Sequence, residues 1–248
     1  MKKVLPFVII AGVLAAVFGG GFLLMSPANS PVQQPAVATQ PAAANTGAAG
    51  PRAAAGGGTQ TQQQQGAPAP ADNEPPRHVR GQAAAPVLVE EYSDFQCPTC
   101  GRMHPVVKQL SAKYPSQVRV AFRHYPLPTI HRNAREAARA AEAAAAQGRF
   151  WDMHDMLYDK QAEWSNADPA RPFFVKYAQT LGLDAARFQQ DIDSSGVAMR
   201  VVADERRAVA RRIQGTPTFF VNGRELKFEE SNTLEKLSAA VERAMGGK

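Results

Sequence analysis

Read from its sequence, the chain is an α/β protein: a small mixed sheet with helices on both faces, interrupted by a helical insertion of about 80 residues. Two short β-rich runs flank a helical pattern near residue 100, and a later pair of runs closes on Asn222-Gly223, the strongest short-range hairpin signal. Between them, residues 133–212 carry apolar side chains at helical spacing, punctuated by Gly148, Gly182 and Gly196. A third observation bounds the domain. Residues 26–86 hold ten prolines and no Phe, Trp, Tyr, Leu or Ile, too little apolar surface to fold, so the core is expected within residues 87–248. One domain of ordinary size follows, which excludes a two-domain enzyme and a long repeat array.

The amino terminus sets the first expectation. Lys2 and Lys3 precede an apolar run from Val4 to Met25, 22 residues. As a helix that run would extend about 33 Å, enough for a hydrocarbon core of about 30 Å. A cleaved secretory signal has a shorter apolar region of about 7–15 residues, and the nearest small-residue site, Ala28-Asn29-Ser30, is followed by Pro31. Residues 1–25 therefore read as an uncleaved membrane anchor, with a cleaved signal as the alternative; the chain is exported under both. The lysines orient it as a single-pass protein of the cytoplasmic membrane with its domain on the outer, periplasmic side. Residues 26–86, rich in Ala, Gln, Gly and Pro, read as a disordered linker spanning roughly 45 Å.

Within the folded part, Val87-Leu88-Val89-Glu90-Glu91-Tyr92 reads as a buried strand. A helix is expected from Cys97, because Pro98 suits the first turn, where its missing N–H had no partner to lose. Residues 118–122 alternate as a second strand, and Pro126 and Pro128 stop any regular element. The insertion, placed at about 131–213, contains an Ala-rich helix through Ala146, an aromatic patch at Phe150, Trp151 and Tyr158 assigned to its core, and three further helices. Strands at 218–221 and 224–228 and a helix at 233–245 close the chain.

The net charge of +6 does not point to nucleic acid. Residues 1–86 hold five Lys/Arg against two acids, leaving 23 against 20 for the folded part. The densest group, Arg206, Arg207, Arg211 and Arg212, lies at helical spacing beside Asp204 and Glu205 and reads as a solvated helix face. His104, His124, His131 and His154 share no spacing and read as helix-face or loop residues.

Both cysteines fall in Cys97-Pro98-Thr99-Cys100, at a strand-to-helix junction. A two-residue spacer closes almost no loop, so a purely structural disulfide would gain little. Zinc usually needs four ligands, and only His104 offers a local third, so no metal is assigned. Redox exchange explains the pair better. At a helix start the first sulfur meets unpaired N–H groups and the positive end of the macrodipole, which lower a thiol from about 8.5 toward roughly 3.5–7. Cys97 is then the nucleophile, and Cys100, one turn inward, the resolving thiol.

Three strings, residues 89–100, Phe122-Arg123-His124-Tyr125-Pro126-Leu127 and residues 215–223, together resemble the DsbA-like branch of the thioredoxin superfamily. The resemblance implies a thioredoxin fold with an inserted helical subdomain. It implies that Glu91, six residues before Cys97, is buried beneath the cysteines and exchanges the proton of Cys100, with Glu90 the competitor for that role. It also implies that Thr216-Pro217 faces the cysteines with Pro217 in cis and offers the Thr216 backbone to an extended substrate. Thr99 and Pro98 lie inside the motif, and Thr99 can donate its hydroxyl toward sulfur. Many strongly oxidising members carry histidine where this chain has Thr99. The expected function is a membrane-tethered, monomeric thiol-disulfide oxidoreductase that needs no cofactor, oxidises exported cysteine-containing proteins and is reset by a membrane redox partner. A reductase or isomerase, and a non-catalytic binding or holdase module with the same fold, are the competing readings.

Overall fold

In the computed structural model, residues 74–246 are described, and a five-stranded sheet in the order β1-β3-β2-β4-β5 forms their centre. Strands β2 (Val87–Ser93) and β3 (Val118–His124) run parallel, with Val87 opposite Val118 and Ser93 opposite His124, and are joined by helix α1 (Pro98–Lys113). Strand β4 (Thr218–Val221) returns antiparallel to β2, and β5 (Arg224–Glu225) pairs with it. Asn222 and Gly223 make the hairpin turn with φ of 47° and 83°, the left-handed pair a two-residue loop needs. Helix α8 (Leu234–Gly246) covers the same sheet face as α1: Val87 and Val89 of β2 share a core with Val107, Leu110, Leu237 and Val241.

Six helices make the insertion: α2 (Ala134–Ala145), α3 (Phe150–Asp159), α4 (Gln161–Trp164), α5 (Arg171–Thr180), α6 (Ala185–Asp193) and α7 (Ser195–Ala210). Ala137, Ala140, Ala141 and Ala144 of α2 are fully buried, and their small side chains leave room for Trp164, Phe174, Phe188 and Ile192 to close over them. On the opposite sheet face, Tyr92 and Phe220 pack against Ala208 of α7 and against Ile213.

The expected α/β architecture is present, with four local differences. The described residues begin at Glu74, and β1 (His78–Arg80) pairs antiparallel with β3 inside the segment expected to be disordered. Long-range side-chain contacts hold it rather than an apolar pattern: His78 stacks on Phe150 with centroids 3.5 Å apart, and Arg80 reaches Asp155 at 3.1 Å and lies over Trp151. Residues 26–73 of the expected linker lie outside the described residues. Two of the four arginines read as a solvated face, Arg207 of α7 and Arg211 just beyond its end, are packed instead. Arg207 is 1% exposed and reaches Glu74, while Arg211 lies 3.6 Å from Glu90 and over Phe220. Strand β3 runs on through Arg123 and His124, so His124 lies in a strand rather than on a helix or loop, while His104 and His154 lie on α1 and α3; all three are buried. Finally, β5 stops after two residues, where a 3-10 turn (Phe228–Glu230) replaces the expected strand.

The expected single-pass localisation is also overturned: among the described residues no helix is long and apolar enough to cross a membrane. The run from Val4 to Met25, to which the anchor was assigned, lies outside those residues.

Arg123 ties these layers together. Its buried guanidinium donates to Glu90 at 3.3 Å, to Asp204 of α7 at 3.1 Å and to the Glu74 carbonyl at 3.0 Å. Removing one member of a buried ionic group strands the others in a medium that solvates them poorly. Arg123→Ala should therefore destabilise the protein by about 3–5 kcal/mol in urea unfolding, whereas removing the exposed Arg224–Glu230 pair should leave the midpoint nearly unchanged.

Candidate active site

The site is built where β2 ends and α1 begins. Cys97 caps the helix in an extended conformation, φ −67° and ψ 122°, with Pro98 as the first helical residue, so its sulfur meets the free N–H groups of the first turn. Both cysteines are unbridged and buried. The Cys100 thiol donates a hydrogen bond to the Cys97 sulfur, which is the largest influence holding the Cys97 thiol down at about 5. Burial opposes it; the backbone N–H groups of Cys100 and Thr99 and the Thr216 hydroxyl, buried with no other partner, reinforce it. Cys100 moves the opposite way. Burial first, then its bond to the Cys97 sulfur and the charges of Cys97 and Glu91, push its thiol well above the ordinary range.

Glu91 shares a strand face with Val87 and Val89 and is 3% exposed. Burial pushes its carboxyl up to about 7, against the Ser93 hydroxyl, which donates to it at 2.8 Å. That hydroxyl lies 2.8 Å from the Tyr158 hydroxyl of α3. Glu90 points to the other face, where Arg123 and Arg211 pair with it. Of the two candidate acids, Glu91 is the one electrostatically linked to Cys100.

The Thr216-Pro217 bond is cis, and the Thr216 carbonyl lies 3.5 Å from the Cys97 sulfur, so the two loops named from sequence do meet. Pro98 is exposed at the mouth. Thr99 acts differently from the expectation: its hydroxyl accepts from Arg102 at 2.9 Å, and its backbone N–H, not its hydroxyl, serves the sulfur.

Two residues that hold the loop escaped the sequence reading. Asp94 accepts from the N–H groups of Gln96 and Leu127, at 2.8 and 2.9 Å, and lies 2.8 Å from Nδ1 of His131, tying the cysteine loop to the loop after β3. An aspartate two residues before a turn amide is a readable signal. Gln161 of α4 donates to the carbonyls of Phe95 and Cys97 at 2.7 and 3.0 Å. A Cβ on Gly101 would sit 2.6 Å from its Oε1. Nothing local in the sequence marks Gln161, because its partners are more than sixty residues away.

Among the described residues, two groups bring three potential metal donors within 4.8 Å: His78, His124 and Glu142, and His104, His154 and Asp155. Arg200 pairs with Glu142, and Arg80 and Lys108 pair with Asp155. These cations already supply the positive charge a metal would bring, and both groups read as ionic networks.

The raised carboxyl makes stability depend on pH. Glu91 ionises near 4.5 in the unfolded chain but near 7 in the fold. Over that interval the unfolded state binds fewer protons, so its contribution falls as pH rises and is fully lost above the folded value. Glu91→Gln should gain on wild type by about 3 kcal/mol between those pH values in paired urea titrations; a pH-independent difference would contradict a buried, proton-holding carboxyl.

Comparison with known proteins places these observations. A thioredoxin family model matches residues 73–243. The sequence is 46% identical over 164 residues to a Salinispora tropica protein named Na(+)/H(+) antiporter NhaA 3, a match covering 66% of this chain and 24% of that protein. The chain thus spans about a quarter of the length of the curated relatives it matches. The fold is similar to a thioredoxin-like oxidoreductase from Silicibacter pomeroyi, with TM-score 0.58, 27% identity and coverage of 71% of this chain and 95% of that one. It is also similar to Pseudomonas aeruginosa DsbA2, with TM-score 0.57, 24% identity and coverage of 69% and 95%. With a Cys-Pro-Thr-Cys pair opening α1 opposite a cis-proline loop, and with the family match running through nearly all of the described residues, the chain belongs to the thioredoxin family.

Proposed function

We propose that the chain catalyses thiol-disulfide exchange through Cys97 and Cys100, and that it runs as an oxidase, passing its disulfide to exported proteins that carry cysteine pairs. The observation that carries this reading is the opposite displacement of two thiols one helical turn apart, Cys97 down to about 5 and Cys100 well up. A reduced form stabilised as thiolate makes the corresponding disulfide a ready electron acceptor.

The steps follow from the geometry. A substrate thiolate attacks the Cys97 sulfur of the oxidised pair; the new sulfur-sulfur bond forms as the Cys97–Cys100 bond breaks, and Cys100 leaves as a thiolate. Glu91, still protonated near neutral pH, gives it a proton. A second substrate thiolate then attacks the substrate sulfur of the mixed disulfide and releases Cys97, which leaves readily because its anion is stabilised. The substrate has lost two electrons and the protein has gained them; a separate redox partner removes them by the reverse sequence. The half-buried Thr216 and Thr218, either side of the buried Pro217 and leading into β4, give an extended substrate a backbone to align with.

Oxidative folding of a reduced, unfolded two-cysteine protein tests the reading. Cys97→Ser should abolish turnover, and Cys100→Ser should accumulate a mixed disulfide that runs as a larger species on a non-reducing gel. Equilibration with glutathione should place the pair nearer about −120 than −270 mV. A potential at the lower end would reassign the chain as a reductase, and full activity in Cys97→Ser would leave only a binding module.

A further inference from the structure

Pro98 carries no N–H, so the peptide unit that joins Cys97 to α1 can be held only through its carbonyl oxygen. Two donors hold it: the Gly101 N–H at 3.0 Å, which is the first rung of the helix, and Nε2 of Gln161 at 3.0 Å. The same Nε2 donates to the Phe95 carbonyl at 2.7 Å, so one amide group clamps the backbone on both sides of Gln96. The rung belongs to the segment that bears the cysteines. Gln161 belongs to the insertion, 64 residues further along the chain.

That amide has a seat. Gly101 lies inside α1, where glycine is less favourable than alanine, and its φ is not in the left-handed region, so its backbone does not call for glycine. Its neighbour does: a Cβ there would lie 2.6 Å from Oε1, 3.1 Å from Cδ and 3.2 Å from Nε2 of Gln161. Helix α4, which Gln161 opens, is fixed from several sides. Trp164 is fully buried and donates its indole N–H to the Leu157 carbonyl at 2.9 Å. Asn133 donates to the carbonyls of Trp164, Ser165 and Ala167, and Gln96 reaches across from the cysteine loop to the Ser165 carbonyl at 2.7 Å. The amide of Gln161 is therefore presented from a rigid support.

We propose that Gln161, seated on Gly101, is a positioning residue through which the helical insertion sets the reactivity of Cys97. The inference rests on the exchange reaction proposed above and deepens its account of the same sulfur. The N–H groups that support the Cys97 anion are those of Thr99 and Cys100. They follow the Cys97-Pro98 unit along the chain, so the peptide plane that Gln161 fixes decides how they are aimed. Without Gln161 a single rung would hold that plane, at the end of a helix, where fraying is easiest. A poorly aimed first turn stabilises the thiolate less, so Cys97 ionises at higher pH and the disulfide becomes a weaker electron acceptor. Gln161 moves no proton and no electron; it acts through the backbone alone.

The test follows two quantities in the full chain: the pH midpoint of Cys97 alkylation by iodoacetamide and the equilibrium with glutathione. Gln161→Ala should raise the midpoint by about one pH unit and, because one unit is a factor of about ten, shift the glutathione equilibrium about tenfold toward the protein disulfide. Gly101→Ala, which helix propensity alone would favour, should move both quantities the same way by pushing the amide off its seat. When Gly101→Ala is combined with Gln161→Ala the added methyl has room, and the midpoint should equal that of Gln161→Ala alone. Should Gln161→Ala fail to fold, Gln161→Met, which keeps the length of the side chain without its donor, bears the same expectation. A folded Gln161 variant with the wild-type midpoint and equilibrium overturns the inference, as does Gly101→Ala adding its full shift on top of Gln161→Ala. The wild-type midpoint separates this inference from the exchange reading. If it lies near about 5 and the variants do not move it, only the positioning role fails; if it lies near about 8.5, the nucleophile itself is missing and both fall.

Discussion

One hydrogen bond organises this molecule: the Cys100 thiol donating to the Cys97 sulfur at the first turn of α1. Two sulfurs in one buried site cannot both ionise without repulsion, so the anion settles on the sulfur that collects the most donors. Cys97 has the helix N–H groups and the Thr216 hydroxyl; Cys100 has burial and the neighbouring negative charge of Glu91. The asymmetry comes from position along the helix and from no special residue type. A nucleophile and a resolving thiol thus arise from two chemically identical side chains.

The rest of the fold maintains that arrangement. Parallel pairing of β2 with β3 puts the cysteine loop at the carboxyl ends of the central strands, where α1 can start, and the antiparallel return of β4 brings Thr216 alongside. The insertion contributes by hydrogen bonds at a distance. Gln161 fixes the carbonyl of Cys97, and Tyr158 completes the polar chain beneath Glu91. Under the opposite sheet face, Arg123 links β3, β2 and α7 through buried charges. A rigid frame suits a site whose chemistry requires two sulfurs to approach each other repeatedly in the same geometry.

Local signals made most of this legible in the sequence. Pro98 marked the helix start and Asn222-Gly223 marked the hairpin, while Glu91 came from the family resemblance with Glu90 still its competitor. What escaped depends on partners remote in the chain. The strand at His78 carries no run of aliphatic residues and exists because Phe150, Asp155 and Trp151 receive it. Arg207 looked solvated because helical spacing alone does not say which face meets Glu74. The buried histidines lacked a common spacing because α1, α3 and β3 contribute them separately. Composition also misjudged residues 74–86, since a short edge strand held by ion pairs and ring stacking needs little aliphatic area.

The account stands on the charge state of a single sulfur, which can be read directly. In the reduced protein, the rate of Cys97 alkylation by iodoacetamide, followed across pH, should rise with a midpoint near about 5, and the midpoint should move upward in Cys100→Ser. A midpoint near about 8.5, unaltered by the loss of Cys100, would contradict it.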